Sequence, residues 1–388
     1  MQTSFDAVIV GGGIVGAATA ASCARTGLRV ALVERHILGG GATAAGMGHI
    51  VVMDDSEAQF ALTRYSQLLW SKLAAELPNS VEYETPGTIW LAADDEEMAE
   101  AERKHRFYRD RDVSSHLLNA RELADLEPNV RPGLAGALLV PEDAVIYPPT
   151  AALHLANVAE HLGATLLVGR SVMHMGSGRV LLDDGEQLTA QCLINATGTC
   201  APDLTSDVPV KKRKGHLVIT DRYPGFVRHQ LVELGYLKSA HSVSSNSVAF
   251  NVQPRRTGQI LIGSSRQYGD ETSNVDQEIL GAMLQRAAAY MPNIGDLNGL
   301  RVWTGFRAAT PDKLPLIGPS SFDETVWLAT GHEGLGITTS LATGELLVAK
   351  LTGRAPAIPI EPYLPSRFAK SDNRDVEPTE EPLCNGKA

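Results

Sequence analysis

The chain opens on a short apolar run, Ala7-Val8-Ile9-Val10, of the kind that forms a strand buried on both faces. After Gly11-Gly12-Gly13 the small and apolar residues from Ile14 onward predict a helix over 14–26 that stops at Gly27. Val30-Ala31-Leu32-Val33 predicts a second strand, closed by Glu34. A small-residue stretch, 39–49, predicts a loop, and a polar helix follows over 56–77. Residues 85–92 predict a strand. Residues 94–111 predict a charge-rich helix, with its acids mostly first and its bases mostly last, as the helix dipole favours. That charge run reads as a solvated face.

Further on, the pattern predicts an amphipathic helix over 150–162, a strand over 164–168, and a hairpin of 179–182 with 187–188 around Asp183-Asp184-Gly185. An apolar strand over 192–195 runs into Ala196-Thr197-Gly198. Four strand-like segments, 215–220, 230–238, 247–253 and 259–264, are expected in one antiparallel sheet. A helix over 276–290, a strand over 326–329 and a helix over 337–351 complete the pattern. The tail, 369–388, is polar, carries Pro378 and Pro382, and is expected to be disordered.

At 388 residues there is room for two domains, or for one large domain with a cap. The hydrophobic share of 44% and charged share of 20% are those of a soluble globular protein. A net charge of -11 argues against nucleic acid, whose phosphates need a basic surface. It leaves small anionic ligands open, because these need only one local cation. The four cysteines (Cys23, Cys192, Cys200, Cys384) are too scattered for a disulfide scaffold, and no Cys/His cluster suggests a metal. Cys23 and Cys192 are expected as buried thiols, and a reducing cytoplasm fits. The N-terminus enters a strand without a basic region and an apolar core, so no signal peptide is expected. No apolar run approaches the ~20 residues of a membrane helix. Peripheral attachment to the inner membrane through a partner stays open.

The most specific chemistry lies at the start. Gly11 permits a tight turn, Gly13 lets backbone approach a pyrophosphate, and Gly16 lets the helix pack close on the strand. The free N–H groups and dipole of that helix start, at Ile14 and Val15, then suit phosphates. Glu34, eighteen residues after Gly16, sits where a ribose diol would be held. A carboxylate there favours an unphosphorylated ribose and disfavours NADP.

With Gly41-Ala42-Thr43-Ala44-Ala45-Gly46-Met47, Asn195-Ala196-Thr197-Gly198 and the run from Gly305 to Gly353, the chain resembles the D-amino-acid oxidase-like flavoprotein family. That family includes glycine oxidase, sarcosine oxidase and D-amino-acid dehydrogenases. The likeness covers most of residues 4–368. Within the family, Gly331-His332-Glu333-Gly334-Leu335-Gly336-Ile337-Thr338-Thr339-Ser340 and the segment from Gly46 to Asp55 are similar to flavin subunits of D-hydroxyproline dehydrogenase, opine oxidase and hydrogen cyanide synthase. The resemblance implies FAD rather than NAD. It implies an α/β fold, with a Rossmann-like FAD-binding domain (1–80, 145–210 and 300–368) and a second α+β substrate domain on an antiparallel sheet (81–144 and 211–299).

By the same resemblance, Arg35 lies over the adenine and the strand near Val172 meets the adenine edge. Ala42, Thr43, Gly46 and Met47 line the flavin side of the pyrophosphate, with the Thr43 hydroxyl donating. Thr197 and Gly198 turn against the cofactor. Gly334, Leu335, Gly336, Ile337 and Thr338 form a closing loop whose helix start stabilises negative charge on reduced flavin. Arg307 would grip a substrate carboxylate through two parallel charge-assisted hydrogen bonds. The family's partner tyrosine is replaced by Asn251, or its part passes to Tyr236. His49 and His332 are within expected reach of the flavin face, and Glu333 is a candidate for meeting a cationic amine or imine.

The expected activity is oxidation of the Cα–N bond of a small amino or imino acid by hydride transfer to flavin N5. A D-proline-like or other D-amino acid is preferred. The alternatives are a glycine/sarcosine-type oxidase, or an opine-oxidising flavin subunit of a multi-subunit complex. A flavin-binding scaffold with little activity of its own is the rival of another class. The segment 259–266 lacks the lysine with which sarcosine oxidase-like proteins activate oxygen, so a dehydrogenase passing electrons to a protein or quinone is expected. No cysteine stands in 307–318, so FAD is expected to be noncovalent.

Overall fold

The computed structural model describes residues 3–206, 208–235 and 246–368. Tyr236, Cys384 and the tail expected to be disordered lie outside the described residues. Two large sheets organise the chain. In the first, the central strands β1 (Ser4–Val10) and β2 (Val30–Glu34) pair in parallel, and β1 also pairs in parallel with Gln187–Asn195. Thr165–Val168 extends one side and Val326–Thr330 the other, both in parallel. The inner stretches of the three central strands, residues 8–10, 31–33 and 192–194, are apolar and buried because both faces are covered there. The expected hairpin forms, with Val180 opposite Leu188. However, 187–188 and 192–195 belong to one continuous strand rather than two.

Helix α1 (Ile14–Arg25) packs on this sheet and between two others, Pro148–His161 and Gly336–Leu351. Its alanines at 17, 18, 20 and 21 are fully buried, and these small side chains let three helices share one core. Other helix ends follow their caps. Ser56 accepts from the Gln59 N–H and starts Glu57–Leu73, which ends in a 3-10 turn short of the expected 77. Asp94 and Asp276 cap Asp95–Arg109 and Gln277–Tyr290 in the same way. The small-residue stretch expected as a loop contains a short helix, Gly41–Ala45.

The second sheet runs Gly299–Ala309, Lys211–Thr220, Ile260–Arg266, Ser247–Pro254, Gln230–Glu233, Thr88–Ala92, Gly136–Val140 and His116–Asn119. Two expectations are corrected here. The sheet is mixed, because Gln230–Glu233 pairs in parallel with Thr88–Ala92. Two segments so far apart in the chain can meet in either sense, and neither carries a hairpin turn to dictate it. The segment Gly299–Ala309 was grouped with the first domain, but it pairs along its length with Lys211–Thr220 and forms the edge of the second sheet. Its outer half is exposed and shows no alternation of burial, which is why a pattern of apolar positions does not reveal it.

Among the described residues no helix is long and apolar enough to cross a membrane. A buried ion pair joins Lys104 to Asp54 beneath the second sheet, with Lys104 4.6 Å from the Trp90 ring and 3.2 Å from the Tyr108 hydroxyl. Burial pulls the Asp54 carboxyl up, but Lys104 and Arg103 outweigh it and hold it below its ordinary value. The stability it contributes is therefore present above the ordinary carboxylate pKa and lost as pH falls through the lowered one. Asp54→Asn strands a buried ammonium and is expected to cost about 3–5 kcal/mol at neutral pH. Urea unfolding at neutral and acid pH checks this. The deficit should shrink as the wild type itself is acidified, and equal stability at neutral pH would refute it.

Candidate active site

One cavity of about 700 Å³ runs between the two sheets. One wall comes from the turn after β1, the end of β2 and the helix Gly41–Ala45. The opposite wall comes from the second sheet: Gly215, Leu217, Asn251, Ser264, Gly305, Phe306 and Arg307. The loop Gly331–Gly336 closes between them, fastened by the Glu333 N–H to the Ala308 carbonyl at 2.9 Å.

The glycine turn has the geometry its spacing predicts. Gly11 has φ +107°, open to glycine at little cost. A Cβ at Gly16 would stand 1.9 Å from the Gly11 carbonyl oxygen, so only glycine permits this helix–strand approach. Glu34 accepts from the Gly12 N–H at 2.7 Å and the His36 N–H at 2.8 Å, which sets its carboxylate on the wall. Thr43 Oγ1 accepts from the Ile14 N–H at 3.0 Å, which leaves its own hydrogen to donate. That bond also takes the Ile14 N–H, which is therefore not open to a phosphate in this arrangement. Arg35, Val15, Ala42, Gly46, Met47, Val172, Thr197 and Gly198 all line the cavity. Thr197 donates to Asn195 Oδ1 at 2.7 Å, which shapes this turn.

The helix Gly336–Leu351 begins with no side-chain cap and no acid in its first turn, and Gly334, Gly336 and Ile337 line the cavity. At two positions of this loop the side chain turns away from the cavity. Leu335 packs into an apolar cluster with Val51, Val52 and Trp90, and Thr338 is buried with its hydroxyl on the His49 carbonyl at 2.8 Å. Neither side chain reaches the wall, because helical spacing turns both toward the core. Gly16 acts through packing rather than as lining.

Arg307 lines the second-sheet wall and donates to the Ser265 carbonyl at 3.0 Å. A Cβ at Gly215 would stand 2.4 Å from its Nη1, so glycine there makes room for the guanidinium. His49 and Asn251 line the same region, and His49 Nε2, Asn251 Oδ1 and Ser264 Oγ have no hydrogen-bond partner among the described residues. Burial, with Arg255 and Arg307 nearby, pushes His49 down to about 4. Burial pushes His332 to about 3, and its Nε2 meets Thr343 Oγ1 at 2.9 Å, so His332 holds the loop rather than acting as an acid or base. Glu333 does not stand ready for a cationic amine. Its carboxylate is in an ion pair with buried Arg213. Sequence reasoning missed Arg213, Gly215 and Ser264. The odd-numbered alternation of 213, 215 and 217 along one strand was the available signal.

Residues 6–350 match the protein family described as FAD dependent oxidoreductase, DAO. The chain belongs to that family. A hydrogen cyanide synthase subunit, HcnC, from Pseudomonas aeruginosa is 30% identical, over 95% of this chain and 97% of its own. A glycine oxidase from Geobacillus kaustophilus is 29% identical, over 91% and 94%. The crystal structure of a glycine oxidase from the same organism superposes with a TM-score of 0.84 at 26% identity, covering 94% of this chain and 99% of that one.

This DAO-family chain is an FAD-dependent oxidoreductase, and the cavity fits the group. The glycine turn and Glu34 suit the pyrophosphate and ribose, and the uncapped helix start suits negative charge on the flavin. The cysteines Cys23 and Cys192 are buried in the core, and Cys200 stands near Arg35, on the β2 side. The purified protein should be yellow, and acid precipitation should leave all of its flavin in the supernatant. Flavin absorbance in the washed pellet would show a covalent bond instead.

Proposed function

We propose that this chain oxidises the Cα–N bond of a small amino or imino acid and passes the electrons to a protein or quinone. The observation that carries the reading is Arg307, a guanidinium held on the wall of the cavity that fits the flavin, across from the loop that closes it. Its parallel N–H donors match a substrate carboxylate. Bound FAD supplies the two-electron acceptor for the substrate's Cα hydride.

The chain's own residues bind and orient. Arg307 holds the carboxylate and so fixes where Cα lies. Neutral His49 adds no second positive charge next to the amine. Asn251 and Ser264 offer polar atoms, and asparagine at 251 is less bulky than the tyrosine it replaces. These features favour a D-proline-like imino acid or another small D-amino acid, whose imine product hydrolyses or, in a ring, persists. The second reading is glycine or an N-alkylglycine, favoured by the likeness to glycine oxidases. An opine remains the third. Noncovalent FAD and further subunits are part of the proposal, the latter supported by the relative that is named as a subunit.

Among the described residues, no lysine lines the cavity. Lys214, beside Gly215, alternates to the other face of its strand and pairs with Asp270 at 2.6 Å. This supports a dehydrogenase over an oxidase.

Arg307→Ala should keep its FAD and lose at least about tenfold to a hundredfold in kcat/KM on the best substrate from an anaerobic amino-acid screen, since hydrogen bonds to charged groups contribute about 1.5–3 kcal/mol each. Unchanged kcat/KM would remove Arg307 from the site. Stopped-flow mixing checks the rest. Flavin reduction should speed up as pH rises, because the neutral amine reacts and His49 and His332 are already neutral above about pH 5. Reduced enzyme should pass electrons to dye or quinone much faster than to oxygen. A flat pH profile counts against the neutral-amine route, and equal reoxidation by oxygen makes the protein an oxidase.

A further inference from the structure

The face of the second sheet that carries Asn251 continues inward past the cavity. Side chains alternate along a strand, so Gln253 shares the face of Asn251, about 7 Å further on. The register that pairs Leu231 with Val252 brings Gln230 beside Gln253 at the next step, and Gln230 pairs in turn with Thr88. Three polar residues thus stand in one row, on strands about 5 Å apart. All three are buried.

A buried polar row is expected to be hydrogen-bonded. Here both ends of the Gln253 amide and Oε1 of Gln230 have no hydrogen-bond partner among the described residues. Neither have Asn251 Oδ1 and His49 Nε2, where the face meets the cavity. Buried water completes such groups, typically with about three polar neighbours each.

The row leads to a carboxyl group. Asp143 is buried, on the segment whose next residues, Ala144 and Val145, pair with Ile50 and His49. Its Oδ1 accepts from the Val52 N–H at 3.2 Å and from Gln67 Nε2 at 2.9 Å. Burial pushes the carboxyl up, while Thr88, the Val52 N–H, Lys104 and Gln67 pull against it, which leaves it at about 7. The other titratable groups on this side are already committed. Lys104 is paired with Asp54, Glu142 with Arg64, and burial keeps the Tyr108 hydroxyl neutral. Asp143 can therefore take up and give back a proton near neutral pH.

We propose that water held by Gln253 and Gln230 carries a proton from the ammonium group of the substrate to the Asp143 carboxylate. This rests on the site taking an amino or imino acid that reacts as the neutral amine. In the step, an N–H bond of the ammonium breaks and the amine nitrogen keeps the electron pair. The waters hand the proton on, and an O–H bond forms at Asp143. Nothing is oxidised or reduced until the Cα–H bond breaks afterwards. His49, on the cavity wall, is too weak a base for this, since burial pushes it down to about 4. Asp143 does not line the cavity and acts only through the water and the amides between.

The test uses the FAD-loaded protein. The infrared difference between wild type and Asp143→Asn near pH 6 isolates the band of the Asp143 acid, and mixing into deuterium oxide shifts that band. In wild type the shift should be fast. In Gln253→Leu, which puts an apolar side chain in the row, it should be slower. Stopped-flow flavin reduction is then followed with ordinary and Cα-deuterated substrate, in ordinary water and in deuterium oxide. Wild type should show a large Cα effect and little solvent effect. In Asp143→Asn and Gln253→Leu, reduction should slow by at least about tenfold. The solvent effect should grow and the Cα effect shrink, because loss of the proton becomes the slow step. A merely structural defect would leave the Cα effect in place. Unchanged isotope effects, or exchange in Gln253→Leu as fast as in wild type, overturn the proposal. Where Asp143→Asn does not fold, the isotope effects of Gln253→Leu decide. A wild type whose flavin no amino or imino acid reduces removes the proposed function and the relay together, whereas unchanged isotope effects remove the relay alone.

Discussion

The close approach of α1 to its neighbours is the constraint on which the site depends. At one end Gly16 lies against the Gly11 carbonyl, where a methyl group would overlap it. Along its length, a Cβ at Gly344 on the C-terminal helix would stand 3.0 Å from the Ala18 carbonyl and 2.8 Å from the Ser22 hydroxyl. Small residues thus bring two helices together whose first turns both border the cavity and both lack a side-chain cap. Two positive dipole ends converge on one space, and that space suits a molecule with a pyrophosphate at one part and an electron-accepting ring at another. Larger residues at either glycine would push a helix away and swing its first turn off the wall.

The second sheet brings the chemistry to that space through its edge. Gly299–Ala309 is hydrogen-bonded on one side only within the sheet, and its inner end carries Arg307. The bridge between Ala308 and Glu333 ties this edge to the loop that starts the C-terminal helix. The residue that would grip a substrate and the backbone that would face the flavin are therefore joined through one backbone bridge. A shift of the edge strand would alter both at once.

What could be read from the chain was what the chain encodes locally. The turn Gly11–Gly16, the acid at 34 and the hydroxyl at 43 each work through residues whose spacing along the sequence reflects their spacing in space. The same holds for Gly334 and Gly336 before a helix. The parts that were misread depend on distant partners. The parallel pairing of Gln230–Glu233 with Thr88–Ala92 joins segments with no turn between them. The edge strand at 299–309 is only half covered and so lacks an alternating pattern. Leu335 and Thr338 follow two cofactor-facing glycines in sequence, yet helical rotation sends both side chains into the core. Glu333 looked available because its partner, Arg213, is 120 residues earlier in the chain.

Asn251 shows how such a difference bears on chemistry. A tyrosine at this position would bring a ring and one hydroxyl. Asparagine brings less bulk, and its Oδ1 is buried with no hydrogen-bond partner among the described residues, as are His49 Nε2 and Ser264 Oγ on the same wall. Leaving a buried polar atom unpaired costs about 1–3 kcal/mol. Three such atoms beside a cavity are tolerable only where a bound molecule or water completes them. A neutral secondary amine has one N–H to donate, while glycine's primary amine has two and needs less width. The wall therefore offers more polar atoms than either substrate can satisfy alone. If Arg307 fixes a substrate's carboxylate, which of these atoms the amine then reaches would separate a ring imino acid from glycine.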